Sequence, residues 1–250
     1  MATYNFNTCT KEERIAAVNT KAGQKSLVTR SFLYMFLLLL FTGAVSVIIH
    51  FCIEAAHLNT RDANNVYVIM LMVSAFAQIF LTVIISFTMM KGGKSSWIPM
   101  LLYSACMGVL ISSFAFVLNW YTVLSAFIIS ALAFAGMSLI GYFAKNASAF
   151  ALVGFGALFA VALAALMNIF FIFFLPVGVW STMNIVISSI IIVAILSISA
   201  YEVWQIKTVA QHGYESSNLA LYFAFQLYLD FIVIFIHLLR ILAIFANRRN

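Results

Sequence analysis

The sequence predicts an all-α membrane protein with seven transmembrane helices. Three observations carry that reading. Of 250 residues, 65% are hydrophobic and only 8% are charged, against the roughly 25% charged residues of a soluble domain. The mean hydropathy is +1.09, so lipid rather than water is the main solvent. Seven apolar runs follow one another, and each is long enough to span, since a spanning helix needs about 20 apolar residues. The runs are apolar on all faces, which excludes the period-two alternation of barrel strands.

Residues 1–30 read as a cytoplasmic polar tail, with residues 31–250 as the seven-helix membrane domain. The tail holds Lys11, Arg14, Lys21, Lys25 and Arg30 against Glu12 and Glu13. It is too long and too mixed for a cleavable signal. The runs are predicted at about Ser31–Ile53, Val66–Met90, Ile98–Leu118, Thr122–Phe143, Ala149–Leu175, Val179–Tyr201 and Leu219–Phe245. Pro99 opens the third, where a first helical turn tolerates it. Asn119–Tyr121 marks the turn after it, and Pro176 with Gly178 breaks the fifth from the sixth. Trp97, Trp120, Tyr121, Trp180 and Trp204 fall at or near run ends, as interfacial aromatics do.

Lysine and arginine set the orientation. With the tail inside, the inner segments also take Lys91, Lys94, Lys145 and Lys207, and the outer loops keep only Arg61. That bias places the amino terminus in the cytoplasm. Seven spans then put the carboxyl terminus outside, which Arg248 and Arg249 oppose. A re-entrant seventh helix is the alternative. The net charge of +6 belongs to this loop bias and not to nucleic-acid binding, for no basic aromatic platform exists. Cys9, Cys52 and Cys106 are too few and too scattered for a metal or disulfide framework.

Polar residues within the runs are few enough to weigh singly. Glu202 ends the sixth run, and Asp230 lies well inside the seventh. A carboxylate at the centre of a spanning helix costs about 2.5–3.5 kcal/mol, so such an acid is read first as functional, with a partner to be found. The two acids are symmetric about Ser216. An antiparallel hairpin turning there brings them to similar depth, which favours direct carboxyl–carboxyl contact. Two carboxyls that close cannot both ionise comfortably and titrate as one unit. Gln226, Asp230 and His237 share one stripe of the seventh helix at 100° per residue, with Arg240 three positions on. The stripe either lines a water-accessible path or bonds neighbouring helices. Gln78, Asn168 and Asn184 read as amides that join helices. Gly136, Gly141, Gly154 and Gly156 read as small residues that permit close approach. His50 and His57 fall near the first outside loop and read as solvated loop histidines.

The stretch LALYFAFQLYLDFIVIFIHLLRILA, Leu219–Ala243, resembles the last helix of the Bax inhibitor-1 family. ISAYEVWQIK, Ile198–Lys207, resembles the end of that family's sixth helix, and VIISFTMMKGGKSSW, Val83–Trp97, is similar to the end of its second helix and the loop beyond. The resemblance implies six helices around a central seventh. It also implies a pH-sensitive, calcium-permeable leak, with a proton-sharing acid pair at Glu202 and Asp230 as sensor and gate and as transient calcium ligands. Bacterial members usually carry two aspartates, so Glu202 departs from the pattern by one methylene. The family's arginine near the end of the second helix is missing, and Lys91 is the nearest cation. Gln226, His237, Lys91 and Arg240 are the expected pore or gate partners.

The expected partners are the lipid bilayer, calcium as permeant ion, and protons. No cofactor and no nucleic acid are expected. The membrane is the plasma (inner) membrane in a bacterium, or the endoplasmic reticulum or another endomembrane in a eukaryote. The alternatives are a non-conducting membrane regulator of stress or cell-death factors, and a proton-coupled transporter. An enzyme is not expected. The acid motifs lack the YD plus GxGD pattern of aspartyl intramembrane proteases, and Gly136–Ser138 has no matching histidine setting for a serine protease.

Overall fold

The computed structural model describes residues 11–55, 60–90, 97–118, 120–144, 156, 159, 162–163, 177–211 and 217–249. Six helices run through them: α1 (Lys11–Ala55), α2 (Thr60–Met90), α3 (Trp97–Val117), α4 (Trp120–Phe143), α5 (Val177–Gln211) and α6 (Ser217–Arg249). Each is long and apolar enough to cross a membrane, and the described residues contain no strand. Helices α5 and α6 are the sixth and seventh runs of the sequence. The fifth run lies outside the described residues except for four helical positions, Gly156, Phe159, Ala162 and Leu163. Lys91, Lys94, Lys145, Cys9, His57, Gly154 and Asn168 also lie outside them.

Two boundaries differ from the sequence reading. Helix α1 reaches back to Lys11, and Leu27 is buried in the core, so the end of the polar segment is helical and joins the bundle. Helix α5 does not end at Tyr201 but continues to Gln211. Glu202, Gln205 and Lys207 look like a helix end. The apolar positions Val203, Ile206 and Ala210 between them recur at helical spacing, and all three are buried.

Helix α6 packs against α1, α3, α4 and α5. Its apolar side chains are buried around most of its circumference, from Leu221 and Ala224 to Phe235 and Leu239. Phe225 meets Tyr103 edge to face at 5.2 Å, and Phe231 meets Phe134 in the same way at 5.8 Å. By contrast α2 packs mainly on α3 and turns Ile69, Phe76, Ile79 and Phe80 outward, as a helix solvated by lipid does. Tyr121 is exposed at the start of α4, in the interfacial position expected of it.

Lipid tails give apolar helices no hydrophobic reason to associate, so close packing and interhelical hydrogen bonds hold them together. Two glycines mark the tightest crossings. A Cβ on Gly141 of α4 would fall on the backbone of Ala200 in α5, and one on Gly108 of α3 would meet the Thr42 carbonyl and Val45 of α1 at 2.8 Å. The expectation for Gly141 therefore holds. Gly136 and Gly156 have nothing within 4 Å of such an atom, so their smallness serves no contact among the described residues. The Gly141 crossing falls one residue from Ser199 and two from Glu202, so it fixes the segment of α5 that carries the acid.

Candidate functional site

Both expected acids are buried: Glu202 on α5 and Asp230 on α6. They lie within electrostatic range of each other. Their other partners differ. Asp230 Oδ2 accepts a 2.7 Å hydrogen bond from Ser199 Oγ. Glu202 Oε2 is buried and has no hydrogen-bond partner among the described residues. Two contacts set the register of α5 against α6. Ser199 faces Asp230, and Ser188 Oγ lies 3.2 Å from His237 Nδ1. Counted from the first contact, Glu202 comes level with Gln226 and Leu227. It lies about 4.5 Å of helix rise away from the level of Asp230.

Ser199 is the residue that sequence reasoning missed. It stands three positions before Glu202, on the same face of α5. Its hydroxyl is also 2.9 Å from the Ile195 carbonyl. A serine hydroxyl has one hydrogen and two acceptor lone pairs, so it can serve only one of these acceptors at a time. When Asp230 is a carboxylate, Ser199 donates to it. When Asp230 carries a proton, the acid donates to Ser199 Oγ, and the serine turns its hydrogen to Ile195. A proton on Asp230 thus reverses the bond between α5 and α6.

Of the remaining stripe residues, His237 meets α5. Gln226 Oε1 is buried without a partner among the described residues, at the level of Glu202. His237 pairs with Ser188, and Arg240, exposed one turn on, acts on His237 through space. Of the two expected roles, helix joining accounts for His237. Lys207 is the described cation nearest to Glu202 in sequence. It donates to the Tyr142 carbonyl at 2.8 Å and lies over the Tyr142 ring at 5.5 Å. There it caps the end of α4 beside the Gly141 crossing. On another face of α6, Tyr228 and Thr42 of α1 share a buried 2.8 Å hydrogen bond.

Among the described residues, no group of three or more His, Cys, Asp or Glu side chains could hold a metal. The oxygens around the acids are hard ligands of the kind calcium takes: two carboxyls, the Ser199 hydroxyl and the Gln226 amide oxygen. A cavity of about 230 Å³ lies between α1, α3, α4 and α6. Leu39, Val123, Phe127, Phe231 and Phe235 line it, and this wall offers an ion almost nothing.

Comparison with known proteins places the chain in a family. The profile of the family described as "Inhibitor of apoptosis-promoting Bax1" matches residues 24–247. The chain belongs to the Bax inhibitor-1 family. An inner membrane protein of Escherichia coli, YbhL, is 31% identical over 242 residues, which cover 93% of this chain and 96% of that protein. An uncharacterized membrane protein of Streptococcus pyogenes serotype M1 is 33% identical over 171 residues, 67% of this chain and 72% of the relative. The uncharacterized protein YrjE of Lactococcus lactis is 35% identical over 169 residues, 64% of this chain and 67% of the relative. The Bax inhibitor-1 match takes in α2 to α5, nearly all of α6 and α1 from residue 24 onward, and with them both acids. Six apolar helices and this membership make the chain an integral membrane protein.

Proposed function

We propose that this Bax inhibitor-1 protein is a pH-sensitive, calcium-permeable leak, gated by proton sharing between Glu202 and Asp230. The supporting observation is the pair itself: two buried acids on adjacent antiparallel helices, within electrostatic range of each other, with a serine hydroxyl of α5 bonded to Asp230. With Asp230 ionised, the Ser199 bond ties α6 to α5. Protonation removes charge from a low-dielectric seam and replaces a charge-assisted bond by a weaker neutral one of reversed direction, a local event of the kind that biases a two-state element. Acid therefore loosens the seam and raises the flux. Calcium is the permeant ion. The pair and its neighbouring oxygens meet it in passing, and Arg240, one turn beyond His237, biases one end of the path.

In this reading the complete bundle has seven spans around α6, with the amino terminus in the cytoplasm, and the chain performs no catalysis. The contacts of α6 with four other helices support its central place. The name of the Escherichia coli relative supports a bacterial inner membrane.

Calcium efflux from liposomes holding the purified protein tests the reading. Passive flux that rises on acidification is expected. Saturable uptake that needs a proton gradient would make the chain a transporter instead. No flux at any pH would leave a non-conducting regulator.

A further inference from the structure

The facing stripes of α5 and α6 have a pattern that the acid pair alone does not use. Along α5, at spacings of three and four, stand Asn184, Ser188, Ile191, Ile195, Ser199 and Glu202. Along α6 the facing stripe is Gln226, Asp230, Val233 and His237. Both stripes are polar at the ends and apolar in the middle. Ile191 is buried and packs with Ile187, Ile195 and Val233 in a small apolar cluster. One polar station, Ser199 with Asp230, lies on one side of it, and Ser188 with His237 lies on the other. At 1.5 Å per residue the stations are about 10 Å apart along α6 and about 16 Å apart along α5.

We infer that the contact of Ile191 and Ile195 with Val233 is the barrier that closes the ion path. This inference rests on the leak reading and adds to it the place where conduction is blocked. Over the next two turns of α6, from Phe231 to Ile236, this helix offers a hydrated cation no side-chain oxygen until it reaches the Ser188–His237 station. An apolar constriction of that length excludes water and blocks ions by dewetting. The acids then bind and sense, and the isoleucine–valine contact seals. The Ser199–Asp230 bond lies one turn from both Ile195 and Val233. A change in that bond is passed directly to the seal.

Calcium flux in alkaline buffer, where the wild type is tight, separates the parts of this account. Ile191→Ser and the near-isosteric Val233→Thr each place a hydroxyl in the barrier. Each should leak on the order of tenfold faster, the factor given by a barrier lowered by about 1.4 kcal/mol. Ile190→Ser makes the same chemical change one residue away, on a side chain that is exposed, and should stay tight. If Val233→Thr folds and Ile191→Ser does not, the threonine variant decides alone. Barrier variants as tight as a wild type that still conducts in acid would overturn the barrier and leave the leak standing. No flux from wild type or variants in any buffer would overturn both.

Discussion

Helices α2 and α6 are made of the same material and are used differently. Both are long and mostly apolar, and both carry several polar side chains. On α2, Thr82 donates to the carbonyl of Gln78, Ser86 donates to that of Thr82, and Ser74 reaches the Cys106 carbonyl of α3. These hydroxyls end mainly on backbone oxygens, most of them on their own helix, although Thr82 also meets the Tyr103 hydroxyl of α3. On α6, Tyr228 meets a side chain of α1, while Asp230 and His237 meet side chains of α5. An apolar helix with polar residues is therefore not by itself a functional helix. What distinguishes α6 is that its polar groups can change partner, because the groups they meet are side chains rather than backbone committed to a helix.

Substitutions can break or sharpen this contrast. The largest effect is expected where α4 touches the acid-bearing segment of α5. Gly141→Val drives side-chain atoms into the Ala200 backbone and should cost about 1–3 kcal/mol by overpacking. Gly43→Val, with nothing within 4 Å of its Cβ, should cost much less. Thermal unfolding in detergent checks the pair, and equal losses would show that the crossing is not tight. A smaller effect is expected of Tyr228→Phe, which removes one interhelical bond, worth about 0.6 kcal/mol on average in membrane proteins and at most about 1.7. The smallest is Ser86→Ala. That side chain is exposed and bonds only its own helix, so the change should stay within about 0.5 kcal/mol. A loss at Ser86 as large as that at Tyr228 would erase the distinction between the two helices.

The sequence carries much of this and hides the rest for physical reasons. The spans are legible because lipid demands long apolar runs, and Glu202 with Asp230 because buried acids in such runs are rare. Ser199 is not legible. Serine is common in these helices, and most bond backward to their own backbone, as Ser189 and Ser197 do. Only the register singles out the one that faces Asp230. The offset between the acids is hidden for the same reason, since the symmetric point of a hairpin assumes a symmetric turn. Gly108 and Gly43 look alike in the chain, yet only Gly108 has another helix within 4 Å. The length of α5 could have been read. The recurrence of Val203, Ile206 and Ala210 continues the apolar face past Glu202, although Glu202, Gln205 and Lys207 are interleaved with it.

The central claim is that the proton on Asp230 sets the state of the α5–α6 seam. The most direct test is the pH profile of calcium flux in liposomes for Asp230→Asn. Asparagine keeps the shape of the side chain and can donate to Ser199 Oγ as the protonated acid would, but it cannot lose a proton in this range. The flux should be raised in alkaline buffer and should no longer respond to acidification, because the side chain that carries the sensing proton cannot titrate. A variant that is tight in alkaline buffer and rises with acid as the wild type does would contradict the account, because the sensing proton would then lie elsewhere.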